Sequence, residues 1–297
     1  MTAEQLQQIE ALGGLVDLSG RAKFRLTGAD RVRYLNGQVT NDVRQAAASR
    51  SLYACVTDAK GRIAADIFVH APVDGGTLLL DAEGGVREML AARLERYIVA
   101  DDVELADVSE EWRLWHVFGP AAQGLSQGLA CNRLGSDGVD LWQPVDAPPP
   151  GLTCPILSAD DHETLRILRA VPRHPQELNG DTFPPEAGIE ARAMSYTKGC
   201  YIGQEVLSRI RTTGKMPRQL MAWRSAATVT AGETVFDAGD PARAIGIVTS
   251  SAWHPLLESH CGLAFVKQGA ATPHSRLPVG ADQPRIDAAI EMFAFVN

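Results

Sequence analysis

The densest run of chemically capable residues lies between 197 and 209: Thr-Lys-Gly-Cys-Tyr-Ile-Gly-Gln-Glu-Val-Leu-Ser-Arg. Its centre is Cys200. A thiol attacks as its thiolate, so its surroundings decide whether it reacts. Lys198 lies two residues away. Ile202, Val206 and Ile210 recur every four residues, as one buried helical stripe would. Glu205 precedes Arg209 by four, the order that favours an ion pair on a helix. Gly199 and Gly203 allow a close backbone approach or a left-handed turn. Cys200 is therefore expected where a glycine turn enters a helix, with free N–H groups and Lys198 to stabilise a thiolate. The competing reading is a small, buried, inert cysteine.

A second candidate is Asp66. In the stretch Arg62–His70, Ile63, Ala65, Ile67 and Val69 share one face of a strand, and Arg62, Ala64, Asp66, Phe68 and His70 share the other. A helix over 85–98 with the stripe Val86, Leu90, Leu94 and Tyr97 or Ile98 can cover the apolar face. Asp66 then points away from it, toward solvent or a cavity. Two further polar groups sit in loops: Asn41, in Gln38-Val-Thr-Asn-Asp42, and Glu186, delivered by the proline-rich segment 171–188. Either could simply cap a turn.

The elements that must hold these groups follow from periodicity. A short helix over 4–12 and a strand within 13–20 lead into a half-buried strand, Lys23–Thr27, and a helix opened by Gly28-Ala-Asp30. Residues 51–81 read as a three-stranded meander, with turns at 58–61 and Asp74-Gly-Gly76. The stretch 101–108 reads as an edge strand entering a new lobe. Trp112–Phe118 is a strand, followed by a helix over 121–129. Prolines leave 131–158 irregular, and 160–170 forms an amphipathic helix. Beyond the linker Lys215-Met-Pro217 the texture becomes short alternating strands at 219–224, 234–236, 243–250, 262–267 and 291–296, with Trp253 and His254 in a loop. That is the pattern of a small antiparallel barrel. The fold class is α+β, with boundaries at 1–213 and 214–297.

Bulk properties narrow the function. The chain has 297 residues and a formal net charge of −8, with no dense Lys/Arg run, so a direct grip on nucleic acid is not expected. No apolar run is long enough to span a bilayer and no signal-peptide pattern opens the chain, which points to a cytoplasmic protein. Cys55, Cys131, Cys154, Cys200 and Cys261 include no C-x-x-C pair, so no metal or cluster site is expected.

The run Lys-Gly-Cys-Tyr-Ile-Gly-Gln-Glu resembles the signature of the YgfZ-like folate-binding proteins, relatives of the glycine-cleavage T-protein (aminomethyltransferase). The order strand, Gly-x-Asp, helix, Thr-Asn-Asp at 24–42 and the run Gly246-Ile-Val-Thr-Ser250 are similar to that superfamily too. The resemblance implies a T-protein-like three-lobed ring, two α+β lobes and a C-terminal small antiparallel β-barrel, around a tetrahydrofolate channel. It implies that Asn41, Asp66, Glu186, Lys198 and Gln204 line the folate site, with Cys200 as the functional thiol. Glu186 would accept paired N–H donors from the pterin edge. T-protein-like enzymes carry Gly-x-x-x-Asp-Asp where this chain has Gly61-Arg-Ile-Ala-Ala-Asp66, so one carboxylate is gone. Which of the pair handles protons stays open.

On these grounds the expected function is a tetrahydrofolate-binding accessory protein that supports iron–sulfur client enzymes, including tRNA-modifying ones. The alternative is an aminomethyltransferase passing a one-carbon unit to tetrahydrofolate. A thiol transferase with Cys200 as nucleophile is the third reading.

Overall fold

The computed structural model describes residues 1–46, 50–72, 75–125, 127–285 and 288–293. The described residues form two five-stranded sheets, a closed six-stranded barrel and the helices packed on them. The first sheet runs, edge to edge, Leu52–Thr57, Ile63–His70, Leu78–Ala82, Ala22–Thr27 and Glu104–Asp107, all antiparallel. Helices Arg31–Gln38 and Arg87–Glu95 lie on one face. Tyr34, Leu35, Leu90 and Leu94 pack there against Ala65, Ile67 and Val69. The period-two alternation of Ile63–His70 thus sends its small apolar residues into the core and Asp66 and Phe68 to the opposite face.

The second sheet is ordered Ile156–Leu157, Gly14–Asp17, Trp112–Phe118, Gly138–Pro144 and Leu129–Ala130. Only its first pair is parallel. Helices Ala3–Leu12 and Ala159–Leu168 cover it through Leu6, Ile9 and Leu165, packed on Val16, Phe118 and Leu157. The barrel comprises Arg218–Ser225, Ser259–Lys267, Ala244–His254, Thr234–Phe236, Arg276–Gly280 and Ala289–Phe293, closed around Met221, Trp223, Val248, Val279 and Ile290. Thr213 ends the last helix before it and Arg218 opens its first strand. Among the described residues no helix is long and apolar enough to cross a membrane.

Several local expectations are corrected. Glu104–Asp107 is an edge strand of the first sheet and does not enter a new lobe, because it pairs with Ala22–Thr27. Where a helix is expected over 121–129, the described residues form a short 3-10 turn, Gly119–Ala122, then glycines 124 and 128 at positive φ and the strand Leu129–Ala130. Residue 126 lies outside the described residues. The stretch 131–158 holds the strand Gly138–Pro144. Trp253 and His254 end a long strand, and Arg276–Gly280 is a further strand despite Pro278. Asp74 and residues 294–296 of the expected last strand lie outside the described residues.

A buried guanidinium bridges the two sheets. Arg133 donates to Asp81 of the first lobe (Nη1 3.0 Å, Nη2 2.7 Å) and to Asp140 of the second (Nε 3.0 Å, Nη2 2.7 Å). His70 bonds Asp81 at 2.7 Å and His116 bonds Asp140 at 2.8 Å. Burial alone would raise both carboxyls, but Arg133, with Arg21 beside Asp81 and His116 beside Asp140, holds them below the ordinary carboxylate range. Replacing Arg133 by Met should lower unfolding free energy by about 3 kcal/mol, since it strands buried carboxylates. The wild-type contribution is fully present above an unfolded carboxyl pKa of about 3.9 and is lost as pH falls below it. Urea titrations should therefore show the two proteins converging on acidification.

Candidate functional site

Between the sheets lies a cavity of about 630 Å³, counting its mouth. Its floor is the free face of the first sheet: Tyr53, Asp66 and Phe68, with the two rings 4.7 Å apart. Tyr53 and Phe68 are direct cross-strand partners, and Cys55 opposes Asp66. Arg133 lies over the Phe68 ring at 4.0 Å, and Arg192 over Tyr53 at 5.4 Å. Arg21 and Glu83 continue the first-lobe wall. Leu134, His162 and Arg166 come from the second lobe, and the 171–192 segment adds Val171, Pro172, Arg173 and Ile189. The barrel does not line the cavity; it buttresses it. Ser250 donates to Glu177 at 2.5 Å and accepts from Arg166 at 2.9 Å, while Arg166 reaches Glu177 at 3.1 Å.

Most of the cavity's charge is balanced. Arg21 pairs with Asp81 and Glu83, Arg166 with Glu163 and Glu177, and Arg173 with Glu83 and Glu163. Three buried polar atoms on its lining residues have no hydrogen-bond partner among the described residues: Asp66 Oδ1, Arg21 Nη2 and Arg166 Nε. Asp66 Oδ2 accepts from the Tyr53 hydroxyl at 3.1 Å. Burial raises the Asp66 pKa, opposed by Arg21 and reinforced by Glu83. An acceptor and a donor left open above an aromatic floor suit a planar, nitrogen-rich ring. His70, Asp81 and Asp140 converge closely enough to hold an ion. Arg133 already bridges the two carboxylates, so the cluster is an ion-pair network.

The residues expected at the site divide sharply. Asp66 is on the cavity floor. Asn41 is not a lining residue; its side-chain amide donates to the carbonyls of Tyr53 and Arg192, 2.9 Å each, and so positions two residues that are. Glu186 is not a lining residue of this cavity, and its Oε1 is buried without a partner among the described residues. It is buried away from the cavity, accepts from the Phe183 N–H at 3.1 Å, and lies 3.5 Å from Arg218 and 3.7 Å from Arg62. It is a turn-capping group between the loop and the barrel. Lys198 lies outside the cavity lining; its ammonium donates to the carbonyls of Asn36, Val39 and Asn41 at 2.5, 2.6 and 2.9 Å. Burial lowers its pKa to about 8. Gln204 opens the helix Gln204–Thr213, outside the cavity lining.

Cys200 is exposed, four residues ahead of that helix, so it sits before the first helical turn and not in it. Of the two signature glycines only Gly203 is required by the backbone. Its φ is +87°, and a Cβ there would lie 2.6 Å from the Asp58 carbonyl and 2.9 Å from the Gly61 Cα; Gly199 has open space. The apolar stripe shifts by a residue: Leu207 and Ile210 are buried, Val206 packs partly, and Ile202 precedes the helix. Arg21, Tyr53, Glu83, Arg133, His162, Arg173 and Arg192 are lining residues missed from sequence. Only Phe68 was readable, as the i+2 neighbour of Asp66 on one strand face.

Comparison with known proteins adds an independent line. The family model described as the GCVT N-terminal domain matches residues 1–139, and that of the glycine cleavage T-protein C-terminal barrel domain matches residues 218–296. The chain is 27% identical to an aminomethyltransferase of Rubrobacter xylanophilus, covering 88% of this chain and 77% of that one. It is 25% identical to one from Anoxybacillus flavithermus, covering 97% and 88%. The crystal structure of glycine cleavage system aminomethyltransferase T from Bartonella henselae superposes with a TM-score of 0.82 at 16% identity, covering 95% of this chain and 86% of that one, a likeness of fold.

Native thiol labelling should go first to Cys200. Cys154 and Cys261, raised by partial burial, should react more slowly, and buried Cys55 and Cys131 only on unfolding. Peptide mass mapping over time checks the order.

Proposed function

Because the chain carries both the N-terminal and the barrel domain of the glycine-cleavage T-protein, and so belongs to that superfamily, we propose that it binds tetrahydrofolate between its two α+β lobes and passes a one-carbon unit to it. The observation that carries the reading is the cavity floor. Asp66 Oδ1 and Arg21 Nη2, unpartnered and buried on residues that line the cavity, offer an acceptor and a donor beside the stacked rings of Tyr53 and Phe68. An aminopyrimidine edge presents the complementary donors and acceptors. Tetrahydrofolate would supply the amine nitrogens that take up the one-carbon unit. Asp66, its pKa raised by burial, would stand within reach of such a nitrogen as a proton-transfer group. Arg133 and Arg192 would flank the aromatic platform and exclude water. Names of the curated relatives favour this transferase reading over the accessory one.

A second reading rests on Cys200. A thiol held outward on the run Lys-Gly-Cys-Tyr-Ile-Gly-Gln-Glu, apart from the cavity, suits contact with a protein client. In that case the chain binds folate and serves iron–sulfur enzymes without turnover of its own.

Formation of methylene-tetrahydrofolate from an aminomethylated lipoyl carrier separates the two. The transferase reading expects turnover that falls about 100-fold in Asp66→Asn. Tetrahydrofolate binding without turnover, together with loss of iron–sulfur client activity in cells carrying Cys200→Ala, would overturn it in favour of the second. Absence of tetrahydrofolate binding would overturn both.

A further inference from the structure

Four histidines of the described residues stand around the cavity: two held by carboxylates, His162 on the lining itself, and His174, close enough to act on the Asp66 charge. His70 lies between Ser51 Oγ and Asp81, 2.7 Å each, and His116 bonds Asp140 at 2.8 Å. The third, His162, is different. It stands in the first turns of the helix Ala159–Leu168 and lines the cavity half-buried, with no side-chain hydrogen bond to another described residue. Its helix belongs to the second lobe, whereas Asp66 projects from the first. The cavity therefore has a carboxyl with an open oxygen on one lobe and an imidazole with open nitrogens on the other.

We propose that His162 is the proton acceptor of this cavity, contacting an amine N–H of the bound folate from the lobe opposite Asp66. This rests on the folate reading above. The imidazole lone pair takes the proton, the bonding pair stays on the ligand nitrogen, and the ring becomes imidazolium. The transfer follows bond formation between that nitrogen and the incoming one-carbon unit, which is the electrophile of the proposed reaction; loss of the N–H proton then returns the nitrogen to neutrality.

The surroundings set the two groups apart. Burial lowers the His162 pKa to about 4, helped by Arg173 from the 171–188 segment and His116 from the second sheet, and opposed by Glu83 of the first lobe and Glu163 of its own helix. At neutral pH it is an unprotonated acceptor. Asp66 is displaced the other way by burial and Glu83, against Arg21, the Tyr53 hydroxyl and His174. Two titratable groups pushed in opposite directions in one pocket is how a fold assigns donor and acceptor. A weak base suffices here, because arylamine nitrogens become strongly acidic once they form a fourth bond.

The test uses the whole chain with carbon-labelled histidine, its His162 ring signals assigned by their loss in His162→Gln. Saturating tetrahydrofolate should shift the His162 ring signals of the wild type. By calorimetry, His162→Ala should bind tetrahydrofolate about tenfold more weakly. His162→Gln, whose amide oxygen still accepts, should stay within about threefold of wild type. Where turnover is measurable, its alkaline plateau should fall about 100-fold in the alanine variant. Ring signals unmoved at saturation, or wild-type affinity in His162→Ala, would overturn the assignment while leaving the folate reading intact. A wild-type chain that binds no tetrahydrofolate would overturn the folate reading itself, and this inference with it.

Discussion

Arg133 holds the site together. Its guanidinium is forked between carboxylates of two different sheets, and the plane so fixed lies over Phe68 on the cavity floor. A planar, permanently charged group is needed for this, since an ammonium could not span two carboxylates and stack on a ring together. Buried pairs of this kind do little for net stability relative to apolar packing. What Arg133 contributes is position. It fixes the spacing between the lobes, and with it the width of the cavity.

Around that fork the signature run acts mainly as scaffolding. Lys198 draws its loop onto the carbonyls of Asn36, Val39 and Asn41, and Thr40 bonds the Ala193 carbonyl at 2.5 Å and the Cys55 N–H at 2.9 Å. Gly203 lets the helix start press on the 58–61 turn. These contacts knit the first lobe to residues 190–204 and leave Cys200 outside. A run rich in reactive residue types thus spends most of them on backbone geometry, and the one group presented to solvent is the thiol.

What could be read from the sequence follows the range of each interaction. The alternation Ile63–His70 placed Asp66 and Phe68 correctly, because strand geometry is local. The barrel and the first-lobe meander were legible for the same reason, in turns and short alternating runs. The inward roles of Glu186 and Lys198 were not, because their partners are carbonyls and guanidinia assembled only by folding. The same holds for the cavity's arginines and His162, which come from separate loops and helices with no pattern of spacing. Gly138–Pro144 was hidden by flanking prolines, although its pairing with Trp112–Phe118 runs its full length. The T-protein resemblance reached further than periodicity in fold, and less far in assigning individual side chains.

The strand Gly14–Asp17 precedes the whole first lobe in the chain, yet it lies between Trp112–Phe118 and Ile156–Leu157 in the second sheet. A ribosome releasing this protein from its N-terminus therefore delivers that strand long before either neighbour exists. The first lobe, complete within residues 22–107, can close early as an insertion between the two halves of its companion. The second holds that strand unpaired until Trp112–Phe118 has emerged, and it is not complete until Ile156–Leu157, past the middle of the chain. High contact order of this kind slows folding and exposes edges to wrong pairing. The short polar helix Ala3–Leu12, capped at Thr2 and tied to the start of this strand through Gly13, is what the nascent chain has at hand to shield it.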